Sequence, residues 1–181
     1  MAETTKTHEP ANGVYGVLAN VIKVECSMCS EGVKMCYRRP CWGTVSDFKK
    51  IIEAGHAEKL MIDYYNSENI NNNERVYILS GANNGNECSK ADWNPKGKCS
   101  FLTNENKCLI HDLKPTMGAI ACCKREQPNF KEENEACVAT WATKEGKQLI
   151  EHWKQLVNYE EKDDDEGFDF MSGFSAMLYG F

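Results

Sequence analysis

The sequence predicts a small α+β domain, helix-rich and loop-rich, stapled by one or two cysteine-thiolate metal sites. Three observations predict it. Cys26, Cys29, Cys36 and Cys41 fall in one short stretch, and Cys99, Cys108, Cys122 and Cys123 form a second group far downstream. Two chelating halves separated by a long insertion are how a chain assembles a soft-metal site on folding. Apolar residues recur at helical spacing in two regions, with a short apolar strand between them. Finally, hydrophobic residues make up 41% of the 181-residue chain, low enough that a metal staple would help to close the core.

The length suits one domain with tails. Residues 1–12 are polar and carry Pro10, so a disordered N-terminus is expected there; the domain spans 13–158; residues 159–181 form an acidic linker and an aromatic tail. Val14 to Val24 is apolar enough for a strand or short helix leading into the first cysteines. Residues 26–43 hold four Cys, two Gly and Pro40, and read as irregular loop shaped by metal.

Thr44-Val-Ser-Asp47 is a helix start, because a Thr or Ser oxygen accepts from the first free backbone N–H groups and Asp47 favours the positive helix end. Phe48, Ile51 and Ile52 give that helix its apolar face, and Gly55 suits the left-handed residue that closes it. A second helix is expected from Ala57 to Tyr65, with Leu60, Met61 and Tyr64 inward. Asn66 to Glu74 reads as loop, Val76 to Leu79 as strand, and Gly81 to Lys98 as a long loop rich in Gly and Asn. Cys99 to His111 reads as strand, turn, strand, which would bring Cys99 and Cys108 together. Asn134 is placed to cap a long final helix whose apolar residues run from Val138 to Val157, with Gly146 marking a break.

The cysteines carry the chemistry. Zinc and iron–sulfur clusters both take thiolates, usually four per centre. Cys26 and Cys29 have the two-residue gap that lets one turn present two sulfurs to one ion. Cys41 lies in Arg39-Pro40-Cys41-Trp42-Gly43, a rigid turn suited to fixing a ligand. Cys122 and Cys123 are neighbours whose side chains point apart, so one of them ligates a given ion, and the sequence leaves open which. The metal set is therefore Cys26, Cys29, Cys36, Cys41, Cys99, Cys108, Cys122 and Cys123. Cys88, in the long loop, is open between ligand and loop thiol, and Cys137, on the last helix, is open between packing and ligand. His111 is open between ligand, support for a ligand and ordinary hairpin histidine. Lys34, Arg38 and Arg39 read as a local field that favours thiolate.

The order Cys26-x2-Cys29, Arg39-Pro40-Cys41-Trp42-Gly43-Thr44, Cys99-Ser-Phe-Leu, Cys108-Leu-Ile-His111-Asp-Leu-Lys114-Pro115 and Cys122-Cys123-Lys124 resembles the YkgJ-type cysteine-cluster family, over roughly residues 24–140. The resemblance implies a zinc- or iron-chelating domain. His111 stands where that family usually has Tyr.

Charge and patterning exclude other classes. A net charge of −6 without clustered Lys and Arg argues against nucleic acid as a partner. No run approaches the roughly 18 apolar residues of a spanning helix, so no membrane partner is expected. Met1 to Pro10 lacks the apolar region of a signal peptide, which points to a cytoplasmic protein with reduced thiols. No phosphate loop or His-Glu-x-x-His motif occurs. The reading is a metal-binding protein, zinc or iron–sulfur, with a structural, sensing or electron-transfer centre. The alternative is a metal-dependent enzyme, with an open coordination position at a mixed Cys/His site using His111, and Asp112, Asp92 and Glu87 as polar neighbours. The tail, with Phe168, Phe170, Met171 and Phe174 among others, either docks on the domain itself or binds a protein partner.

Overall fold

A computed structural model describes residues 30–66, 75–91, 96–120 and 130–161. The expectations for residues 1–24, for Cys26, Cys29, Cys122 and Cys123, for most of the loop after Asn66 and for the aromatic tail lie outside the described residues.

The fold is α+β: helices around a small antiparallel sheet. Helix α1, Ser30–Arg38, replaces the irregular loop expected around Cys36. Nothing between Val33 and Arg38 breaks a helix, and Val33 and Cys36, three apart, turn one face toward the core. The helix ends before Pro40, whose ring disfavours helical backbone at Arg39.

Helix α2, Val45–Glu53, forms where the capping signal placed it. The Thr44 hydroxyl accepts from the Asp47 N–H at 3.2 Å, and the Thr44 N–H donates to the Asp47 carboxylate at 2.9 Å. This reciprocal pair satisfies two of the free groups at the helix start. Phe48 and Ile51 are fully buried, and Gly55 follows with φ of 81°.

The helix expected from Ala57 to Tyr65 is corrected to a 3-10 turn, Ala57–Lys59, followed by strand β1, Leu60–Asn66. β1 pairs antiparallel with β2, Arg75–Gly81, from Leu60 opposite Gly81 to Asn66 opposite Arg75. Leu60, Met61, Ile62 and Asp63 are all buried, because this end of the sheet is covered on both faces. A strand buried on both sides shows no alternation, and four apolar and acidic residues in a row look like helix to a periodicity argument. Short pieces extend the sheet on both edges. Trp42 bridges Ser80 antiparallel and Ile62 bridges Lys90 in parallel. Asn83 bridges Cys99, and Leu102 bridges Cys108. Cys99 to Cys108 is thus a hairpin of single bridges, and the chain after it turns into a 3-10 segment, His111–Leu113, where a second strand is expected.

A short helix α3, Thr116–Ile120, precedes α4, Phe130–Trp141, and α5, Lys144–Leu156. The single long helix expected here is two. Thr143 caps α5 through a bond from the Gly146 N–H, at 3.1 Å. Asn134 is inside α4 and its amide donates to the Tyr65 hydroxyl at 2.7 Å, so it ties α4 to β1 and caps nothing. A Cβ at Gly146 would lie 2.6 Å from the Trp141 backbone. Gly146 therefore permits the close turn between α4 and α5, three residues after the break itself. Gly146→Ala is expected to cost about 1–3 kcal/mol, the usual range for overpacking; a melting temperature equal to that of the parent chain would show that the turn can relax.

The core joins these elements. Trp141 packs edge-on against Phe48 at 5.8 Å, and its indole N–H donates to the Gly43 carbonyl at 2.7 Å. Trp153 is fully buried and donates to the Ala57 carbonyl at 2.9 Å. Each large indole thus buries its ring and satisfies its one donor.

Candidate metal centre

Cys41 and Cys99 are in contact near the Gly81 end of the sheet, and Cys36 and Cys108 lie near enough to act on Cys41 through their charges. Cys36 comes from α1, Cys41 from the turn before α2, and Cys99 and Cys108 from the bridged hairpin. The thiols of Cys41 and Cys99 hydrogen-bond, and Cys41 also feels the charges of Cys108 and Cys36. The backbone ties the same segments together: Cys99 N–H donates to the Cys36 carbonyl at 2.8 Å, and Gly81 N–H donates to the Cys41 carbonyl at 3.0 Å. A Cβ at Gly81 would lie 3.4 Å from the Cys99 sulfur.

Two of the sulfurs share two kinds of neighbour. Cys99 Sγ accepts from the Phe101 N–H, and Cys108 Sγ accepts from the Ile110 N–H, in each case two residues on. Each also faces a lysine: Lys59 acts on Cys99 and Lys114 on Cys108. Cys99 receives a further bond from the Cys41 N–H. Its thiol is lowered to about 7, chiefly by the Cys41 hydrogen bond and against the cost of burial. Cys41 is pushed well up, first by that same bond, in which it keeps the proton, then by burial. Burial raises Cys108, and its N–H donor and Lys114 pull against that rise. Of this pair, then, Cys99 ionises first.

The turn that carries Cys41 is fixed from several sides. One Asp47 carboxylate oxygen accepts from both the Thr44 N–H and the Thr116 N–H, each at 2.9 Å, so it clamps the turn to the start of α3. Met117 N–H donates to the Trp42 carbonyl at 3.2 Å. A Cβ at Gly118 would lie 3.0 Å from Cys41 Cβ, so α3 approaches the cysteine closely. Asp47 shows in the sequence only as a helix-start residue; its bond to Thr116, 69 residues away, has no local signal.

The remaining candidates stand apart. Cys137 is fully buried in the core, and desolvation raises its thiol to about 12. Cys88 adopts φ of 56°, and burial with Glu58 and Glu87 raises its thiol. The six cysteines among the described residues form no disulfide with one another. His111 is exposed at the start of its 3-10 turn, and Asp112 is exposed beside it. Glu87 accepts from the Gly85 N–H at 2.8 Å, and Asp92 lies outside the described residues. Among the described residues, no group of three or more Cys, His, Asp or Glu is spaced to hold a metal ion; Cys41 and Cys99 stand as hydrogen-bonded thiols.

Arg39, two residues before Cys41, reaches Asp63 on β1 at 3.5 Å. Asp63 is 2% exposed, and its carboxylate also accepts from the Tyr64 N–H at 2.8 Å. Burial holds this carboxyl above its usual 3.8, while the Tyr64 N–H and Arg39 pull it down. The folded state therefore binds the proton more tightly than the unfolded chain does. The stabilisation from this group is complete below the unfolded value and is lost as pH rises through the raised folded one. Asp63→Asn is expected to remove that loss. The check is a series of thermal melts from pH 4 upward: the parent should fall relative to the variant, and parallel curves would sink the assignment.

Compared with protein-family models, curated proteins and solved structures, the chain matches none. Among the described residues no helix is long and apolar enough to cross a membrane.

Proposed function

We propose that this is a metal-binding protein whose cysteine thiolates hold zinc or an iron–sulfur cluster in a structural, sensing or electron-transferring centre. One observation carries the reading: at Cys99 and at Cys108 a backbone N–H two residues on and a nearby lysine favour the thiolate against the cost of burial. A ligating thiolate keeps its negative charge in a partly buried place, and N–H donors and ammonium groups offset that cost. A buried thiol that serves only as packing needs neither, as Cys137 shows with its thiol at about 12.

Cys36, Cys41, Cys99 and Cys108 supply four sulfurs, the usual number for one centre. Cys26, Cys29 and one of Cys122 and Cys123 are the further donors that the sequence offers. Bound zinc would tie the segments together or act as a Lewis acid, and a bound cluster would carry electrons. The chain's own part is positional. Asp47 holds the Cys41 turn against α3, Phe101 and Ile110 donate to two sulfurs, and Lys59 and Lys114 bias those sulfurs toward the anion.

The test is elemental analysis with a visible spectrum on protein purified without oxygen. Iron and sulfide with absorption near roughly 400 nm mean a cluster, and a colourless protein with about one or two zinc ions per chain means a zinc site. Protein that contains neither metal, and takes up neither on reconstitution, overturns the proposal.

A further inference from the structure

The charge of this chain is concentrated at one end. Residues 159–181 carry seven of its 27 acidic residues and one of its 21 basic ones, which leaves 20 of each sign in residues 1–158. The body is formally neutral with histidines uncharged, and the whole −6 belongs to the last segment. There an acidic run, Asp163 to Glu166, precedes Phe168, Phe170, Phe174, Tyr179 and Phe181.

Among the described residues, the far end of the sheet presents a surface with the complementary chemistry. Ile62 pairs with Leu79 and Tyr64 with Tyr77, and Lys90 bridges Ile62, so Tyr64, Tyr77, Arg75 and Lys90 share one face of the sheet. The contacts agree. The Arg75 guanidinium lies 4.7 Å from the centre of the Tyr64 ring, Tyr64 meets Tyr77 edge-on at 6.4 Å, and the Lys90 ammonium lies 5.8 Å from the Tyr77 ring. Two adjoining rings are thus flanked by two cations, with Tyr77 39% exposed and Arg75 exposed. This row lies on the same sheet face as Gly81, which abuts Cys99, and four residues along β2 place it roughly 13 Å away.

We infer that residues 162–181 dock in cis on this row, the acidic run against Arg75 and Lys90 and the phenylalanines against Tyr64 and Tyr77. Length does not limit the reach: twenty residues span up to roughly 70 Å, against a radius of roughly 15 Å for a domain of this size. Attachment to the same chain supplies an effective concentration of about millimolar. Exposed charge pairs are individually weak and screened by salt, so the docking is salt-sensitive.

The experiment uses the full chain. Hydrogen–deuterium exchange is followed over residues 162–181 at low and high salt, for the parent and for Arg75→Glu/Lys90→Glu. Carbodiimide cross-linking on a mixture of isotopically light and heavy chains gives the contacts. The expected result is protection of the segment at low salt, lost in high salt and in the double variant, with Lys90 linked to Asp163–Glu166 within one chain. A second variant, Asp163→Lys/Asp164→Lys/Asp165→Lys, leaves the body untouched and should lose the protection equally. An unprotected segment in the parent, protection that survives both variants, or links that join light to heavy chains would each overturn the inference.

Discussion

Cys99→Ser and Cys108→Ser should each lower bound metal at least about tenfold, since weakening the partners of a ligand alone typically costs 10–100-fold. Cys99 is already shifted toward the thiolate, and at Cys108 the Ile110 N–H and Lys114 oppose the rise that burial causes. A serine oxygen in the same place is a harder donor and keeps its proton at neutral pH. The control is Cys137→Ala. Cys137 is fully buried, on α4, with a thiol raised to about 12 by burial. Its truncation should cost about 1 kcal/mol of stability and leave metal content unchanged. Metal content by elemental analysis, measured on protein that still melts cooperatively, separates the two behaviours. Equal metal in parent, Cys99→Ser and Cys108→Ser would remove the hairpin from the centre.

The second large effect is at Gly43→Ala. A Cβ there would lie 2.5 Å from the Asp47 carboxylate, 2.9 Å from Pro115 Cβ and 2.9 Å from the Thr116 N. The carboxylate would have to leave, and with it go its bonds to Thr44 N–H and Thr116 N–H. Hydrogen bonds to a charged group contribute about 1.5–3 kcal/mol each, so a loss on the order of 3 kcal/mol is expected. That is a large part of the stability of a small domain. Because the Cys41 turn is held by this clamp, metal affinity should fall along with the melting temperature. Asp47→Asn keeps the shape and loses the charge, so it should show a smaller decrease in both. A Gly43→Ala protein that melts like its parent would mean that the turn and α3 can separate at no cost.

Legibility in the sequence followed the range of the forces involved. The cap of α2 was readable, because Thr44 and Asp47 satisfy each other's backbone within four residues. Strand β2 was readable, because Val76 to Leu79 is a compact apolar run between polar segments. Strand β1 was not, because its first four residues are buried on both faces and lose the alternation that marks a strand. The break between α4 and α5 was placed too late. Gly146 is a weak helix residue, but its role is to let Trp141 approach. The Thr143 cap, three residues before it, was the better signal. Helix α1 was hidden by its cysteine, which suggested loop although nothing from Val33 to Arg38 opposes a helix.

What the sequence determined by itself is the chemistry available: the sulfurs in two groups, the acidic end, the capping and turn residues, each of which acts through its near neighbours. What only the tertiary structure decided is which of those groups meet. The segments of Cys36, Cys41 and Cys99 are joined because Cys99 pairs with Asn83 and donates to Cys36, because Gly81 donates to Cys41, and because Asp47 reaches Thr116. Those bonds join residues far apart in the chain, and no local pattern announces them. Their partners are fixed by the register of β1 on β2 and by the burial of Trp141 and Trp153, which depend on the whole core closing at once.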